Sequence, residues 1–215
     1  GAVSVIDTET GSVTTIAVGN GPRGVAVTPD GDHVYVANLG DGTVSVIDTE
    51  ADSVTTIAVG EGPGLVAVSP DGDHVYVANL GDGTVSVIDT ESNTVTKTIA
   101  VGDDSAGVAV SPDGDHVYVT DLDGTVSVID TATNTVIDTI AVGGDPKGVA
   151  VSPDGTRVYV ANGSTDTVLV IYTATNTVID TISVGNGPED VAVSSDGTRL
   201  YVTNKIDGTV SVISV

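Results

Sequence analysis

One five-residue strand pattern recurs along the chain at a nearly fixed interval, and this limits the fold more than any other feature. "TVSVI" stands at 43–47, 84–88, 125–129 and 209–213, with "AVSVI" at 2–6 and "TVLVI" at 167–171. The equivalent valines are Val3, Val44, Val85, Val126, Val168 and Val210, so the steps are 41, 41, 41, 42 and 42 residues. A period of this length marks a repeat architecture, in which each unit buries its apolar face on its neighbours.

Within one unit, residues 24–60, four runs alternate in period two: Val25–Thr28, His33–Ala37, Thr43–Ile47 and Val54–Val59. Each is rich in β-branched residues and bounded by Gly, Pro, Asp or Asn, which predicts strands. No segment carries a helical period. "TPDG" at 28–31 sets Pro second and Gly fourth, the pattern of a type I turn followed by a left-handed residue. It recurs as "SPDG" at 69–72, 111–114 and 152–155, and as "SSDG" at 194–197. Four-stranded antiparallel units of about 41 residues predict an all-β fold, a β-propeller of five four-stranded blades.

Naming the strands of a blade A to D from centre to rim divides the chain into six pieces. Residues 1–18 supply C and D, residues 185–215 supply A, B and C, and 19–59, 60–101, 102–142 and 143–184 are complete units. The sum is 21 strands where five blades need 20. The permuted termini predict velcro-type closure, and either Gly1–Thr8 or Gly208–Val215 is then surplus. Three readings stay open: a boundary within a larger array, a closed ring with one loose strand, or a strand used between molecules. In the last, Val3, Val5 and Ile6 or Val210, Val212 and Ile213 would pair with a second copy, because an open strand edge is a template for addition.

Thirty acidic residues face six basic ones, a formal net charge of −24. Such a surface repels nucleic acid and anionic membranes. No apolar run approaches the roughly 18 residues of a membrane span. The charge fits a protein of a salt-adapted microbe, since at about 1 M salt the Debye length falls to about 3 Å and self-repulsion is screened. The chain has no Phe, Trp, Met or Cys, so its core must be Val, Ile, Leu and Ala with six Tyr. Neither an initiator Met nor a signal-peptide pattern opens it, as expected of a mature or excised segment.

The second strand of each unit reads "HVYVAN" at 33–38 and 74–79, "HVYVTD" at 116–121, "RVYVAN" at 157–162 and "RLYVTN" at 199–204. These units resemble the YVTN family of β-propeller repeats along essentially the whole chain. The resemblance implies a surface or secreted protein of archaeal or bacterial type, with an extracellular or cell-surface location, and it implies no particular activity.

Candidate chemistry is sparse. His33, His74 and His116 share one repeat position that Arg157 and Arg199 fill elsewhere, which suits a polar surface residue better than a metal ring. Tyr35, Tyr76, Tyr118, Tyr159 and Tyr201 share another and suit a filler between blades. Asp121 and Asp123 in "DLDG" resemble part of a calcium loop, but Val119 stands where the first ligand belongs, so solvated turn aspartates are expected and no metal or cofactor, the pair being at most weak candidates for calcium or other cations. Asn162 opens a glycosylation sequon, expected on an exposed loop. The expected role is structural, a self-assembling surface protein. The alternative is a protein- or glycan-binding module acting through the divergent third repeat, "GDDSAG" at 102–107 and "TDLDG" at 120–124. Near-identity of the blades argues against an active site, so no enzyme is expected, and a lactone hydrolase ranks last.

The charge reading has a direct check. Melting followed by circular dichroism moves to higher temperature as salt rises from about 0.1 M to about 2 M. A melting point that stays constant or falls would remove the salt-adapted reading.

Overall fold

A computed structural model describes residues 1–51 and 53–215, and among them every regular element is a β-strand. Strands β1 (Ala2–Ile6) and β2 (Val13–Ala17) form a two-stranded sheet. The first complete blade is β3 (Pro22–Val27), β4 (His33–Asn38), β5 (Thr43–Asp48) and β6 (Val54–Ala58). The second is β7 (Pro63–Val68), β8 (His74–Asn79), β9 (Thr84–Asp89) and β10 (Thr94–Ala100). The third is β11 (Ser105–Val110), β12 (His116–Asp121), β13 (Thr125–Asp130) and β14 (Thr135–Ala141). The fourth is β15 (Pro146–Val151), β16 (Arg157–Asn162), β17 (Thr167–Tyr172) and β18 (Thr177–Ser183). Strands β19 (Pro188–Val193), β20 (Arg199–Asn204) and β21 (Thr209–Ser214) close the chain as a three-stranded sheet. The fold is an all-β propeller of five blades' worth of antiparallel sheet, with one strand to spare.

Alternation places apolar side chains on both faces of each blade. Tyr35, Val44, Val46 and Ile57 of the first blade pack on Val66, Val75, Val77 and Ile88 of the second. The same arrangement repeats between the later blades. Burying each such side chain contributes roughly 1.5–3 kcal/mol. The innermost strands β3, β7, β11, β15 and β19 lie side by side in that order. Their approach requires glycine: a Cβ at Gly148 would lie 2.6 Å from the Asp190 Cα, and one at Gly24 would lie 2.9 Å from the Leu65 Cα.

Four of the five tyrosines expected between blades lie there, and Tyr201 is instead 39% exposed. Tyr35, Tyr76, Tyr118 and Tyr159 are at most 2% exposed. The Tyr35 hydroxyl donates to Asn93 Oδ1 at 2.9 Å, tying the first blade to the second, and burial pushes its phenol up to about 12.

The Asp-Gly turns form as their sequence predicts. Gly31 sits at φ 82°. The Thr28 hydroxyl donates to Asp30 Oδ1 at 2.6 Å and accepts the His33 N–H at 3.0 Å. Ser152 with Asp154, and Ser194 with Asp196, repeat the device, and hydrogen bonds from these serines lead the pull on both carboxyls down to about 2. A depressed folded-state pKa means support that is complete above the ordinary carboxylate range and lost as pH falls through about 2.

Velcro-type sharing of one blade between the termini does not form. The only D strand at the N-terminus, β2, is paired along its length with β1, from Ala2 opposite Ala17 to Ile6 opposite Val13. Strand β21 therefore keeps an unpaired outer edge. The flanks are correspondingly bare. Val210 and Val212 are 56% and 59% exposed, whereas their equivalents Val44 and Val46 are 0% and 3% exposed.

The Tyr position separates covered from bare faces. Tyr118→Ala should cost about 3–5 kcal/mol in denaturant unfolding, as large-to-small core changes do, while Tyr201→Ala, on the open flank, costs under about 1 kcal/mol. Equal losses would mean that the Tyr201 face is covered in solution.

Candidate functional site

Set side by side, the five innermost strands read "PRGVAV", "PGLVAV", "SAGVAV", "PKGVAV" and "PEDVAV". The last three residues never change, the second differs in every strand, and the third is Gly in three strands and Leu or Asp in the other two. The constant "VAV" packs between blades; the variable pair opens onto the axis. There a single cavity of about 180 Å³ touches all five innermost strands.

The cavity has two unlike walls. Leu65, Leu80, Ala106 and Leu122 form an apolar one, with Leu80 and Leu122 reaching in from the loops after β8 and β12. Arg23, Lys147, Glu189 and Asp190 form a charged one. Lys147 Nζ lies 3.6 Å from Glu189 Oε2 and 3.5 Å from Asp145 Oδ2, and Lys205 Nζ lies 3.4 Å from Glu189 Oε1. These are the ion pairs found among the described residues. Arg23 and Asp190 take no part in them. A neighbouring groove of about 260 Å³ shares Lys147 and Glu189 with the cavity, so their pair stands between the two spaces.

Asp190 is held by its own strand. Its N–H donates to Thr203 Oγ1 at 3.0 Å, and its Oδ1 accepts the Val191 N–H at 2.9 Å. Its side chain reaches solvent, yet the protein around it raises the carboxyl above the usual range; desolvation leads, and Glu189 adds to it. A carboxylate shifted this way, in a cavity that Arg23 and Lys147 also line, can take up a proton. None of Arg23, Lys147, Glu189 and Asp190 was singled out as a candidate from the sequence. The signal was the column of changing residues within an otherwise constant strand.

The residues that were singled out fall elsewhere. Asp121 is fully buried, its Oδ2 accepting the Ser127 hydroxyl at 3.1 Å and the Thr125 hydroxyl at 3.2 Å, while Asp123 is exposed. The two share Thr125 as a donor, and no group of three or more acidic, cysteine or histidine side chains that could hold a metal ion forms among the described residues. Asn162 is 1% exposed, its Nδ2 donates to the Gly143 carbonyl at 2.6 Å and its Oδ1 accepts the Asp145 N–H. It ends a buried strand instead of occupying an exposed loop, which corrects the glycosylation expectation. Of the terminal residues, Val5 and Ile6 are 46% and 63% exposed with Val210 and Val212, whereas Val3 and Ile213 are half-buried. The divergent third repeat does reach the axis, through Ala106 and Leu122.

Asp121 occupies the place of Asn38, Asn79, Asn162 and Asn204, and its Oδ1 has no partner. Desolvation raises its carboxyl to about 6. A raised folded-state pKa gives stability that is complete below the unfolded value and lost as pH climbs through about 6. Asp121→Asn should therefore raise the melting temperature at pH 8 by a few degrees and flatten its pH dependence between pH 4 and pH 7. A variant with an unchanged pH profile would place the titration elsewhere.

Two family models match the sequence over more than half its length: "Lactonase, 7-bladed beta-propeller" over residues 3–122, and "Cytochrome D1 heme domain" over residues 73–195. No curated protein matches it. Among solved structures, the mitotic checkpoint complex contains a chain 21% identical, with a TM-score of 0.87, covering 100% of this chain and 70% of its own. A functionally unknown protein of Desulfotomaculum acetoxidans is 23% identical, TM-score 0.80, covering 99% and 75%. A Bacteroides uniformis protein with a provisional 6-phosphogluconolactonase assignment is 21% identical, TM-score 0.80, covering 100% and 74%. At these identities the structures establish shared fold.

The lactonase match overturns the expectation that no enzyme is at work in this chain. Near-identity of the blades holds for their packing faces and not for the residues at the axis. The residues do not fit a haem. Axial ligation draws on His, Met, Cys or Tyr; the chain has no Met or Cys, and neither His nor Tyr lines the cavity.

Proposed function

This chain belongs to the β-propeller family that the lactonase and cytochrome D1 models describe, and from that premise we propose that its axial cavity is a small-molecule site suited to hydrolysing a cyclic ester. One observation carries the reading: the repeats diverge where they meet the cavity, and the divergence brings carboxylates and cations together. In the proposed reaction Asp190 accepts a proton from water as the water oxygen adds to the ester carbonyl. Lys147 and Arg23 face the oxyanion that forms. The ring C–O bond then breaks, and the alkoxide takes the proton from Asp190, giving a hydroxy acid.

The test is hydrolysis of a panel of small lactones followed by proton release. Turnover should rise with pH through a value above the ordinary carboxylate range, and Asp190→Asn should lower it by roughly 10²–10⁴, the usual contribution of a positioned base. No turnover on any lactone, or an unaffected Asp190→Asn variant with intact folding, removes the hydrolytic reading.

The bare flanks favour a second reading, in which the protein is a YVTN-type surface component of a salt-adapted microbe. The open outer edge of β21 and the exposed Val210 and Val212 support head-to-tail joining of copies outside the cell. Light scattering across protein concentration should then show oligomers that disappear when residues 1–8 are deleted. A monomer at every concentration removes this reading.

A further inference from the structure

The cavity's two walls specify more than a generic ligand, and this step rests on the axial-site reading. The apolar wall holds three of the chain's six leucines, Leu65, Leu80 and Leu122. The charged wall carries two cations and two anions and is balanced at zero, in a protein whose net charge is −24. Within that wall Lys147 and Glu189 already satisfy each other at 3.6 Å. Among the described residues, the charges of this wall that make no ion pair are one of each sign: Arg23 on β3 and Asp190 on β19. They come from the first and the last of the five innermost strands, so they flank the cavity from opposite ends of the strand series.

We propose that the cavity binds a small zwitterion with an aliphatic arm, its carboxylate on Arg23, its ammonium on Asp190 and its arm on Leu65, Leu80 and Leu122. A simple anion would pair with Arg23 but be repelled by Asp190. A simple cation would leave Arg23 unpaired and adjacent. A neutral apolar molecule would fill one wall and leave both free charges without partners, whereas charge-assisted hydrogen bonds to each are the stronger kind. Size agrees. About 180 Å³ is room for about six waters at liquid density, well below a drug-sized pocket and close to an aliphatic amino acid.

The test is calorimetric titration of the full chain with four probes: L-leucine, N-acetyl-L-leucine without the cation, L-leucinamide without the anion, and glycine without the arm. L-Leucine should bind, and each of the others should bind at least about tenfold more weakly, the effect of losing about 1.4 kcal/mol. Two variants assign the contacts. Arg23→Gln should make L-leucine and L-leucinamide equivalent, and Asp190→Asn should do the same for L-leucine and N-acetyl-L-leucine, as a double-mutant cycle requires. Both residues are exposed, and an unchanged melting temperature certifies each fold.

Equal binding of all four probes overturns the proposal, as does no binding of L-leucine up to about 10 mM, a concentration beyond ordinary specific affinities. So does L-leucine binding that Leu122→Ser leaves unchanged. The hydrolytic reading fails separately: L-leucine binding without lactone turnover keeps this inference and removes the other, and turnover without L-leucine binding does the reverse.

Discussion

Each sheet in this protein is apolar on both faces and must therefore be covered twice. In β5, Val44 and Val46 face the following blade, and Ile47, fully buried, faces the other way. A sheet of this kind is fully covered only between two others. That requirement lines the sheets up around an axis and brings the innermost strands close enough that Gly24 and Gly148 cannot carry a Cβ without displacing a neighbour. The axial cavity is the space left where those strands cannot close further.

The same requirement sorts the charges. Apart from Asp121 at the end of β12, the buried side chains among the described residues are uncharged, and carboxylates gather in turns, where many accept N–H and hydroxyl donors. Asp41 accepts the Asn20 N–H at 2.7 Å, and Asp207 accepts the Asn186 N–H at 2.7 Å, so loop aspartates also fasten the connectors that lead into the innermost strands. Cations are scarce, and three of the six, Arg23, Lys147 and Lys205, line the cavity or the groove beside it. A protein with so little positive charge places half of it around one small space, which links the charge pattern to the site.

Repeat period, strand order and turn chemistry were legible in the sequence because each depends on local pattern: β-branched alternation, Pro and Gly in fixed turn positions, Tyr at one station per blade. The site was not, because it depends on which residues share the axis. Arg23 and Asp190 are far apart in the chain, and each looks like drift within a well-kept strand until the five strands are brought together. Asn162 misled for a related reason. Its sequon is local, but its burial is imposed by the connector Gly143–Asp145 folding over it. Asp121 misled because a carboxylate in an acidic loop looks exposed, while its register at the end of β12 buries it as it buries Asn79 in β8.

The two charged ends of the cavity lie on the parts of the molecule with the least cover. Val25, on the same strand as Arg23, is 57% exposed where its equivalents are at most 9%, and the sheet that carries Glu189 and Asp190 has packing on one side only. Strands so placed open locally at a lower cost than the interior blades, and their amide hydrogens exchange sooner. A molecule lodged between Arg23 and Asp190 would act as a clasp, joining two sheets that are remote in sequence and touch no common blade. Its occupancy would be written in slower exchange at both ends of the arc at once, with the middle blades unchanged, so that the protein's rigidity becomes a property of what it holds.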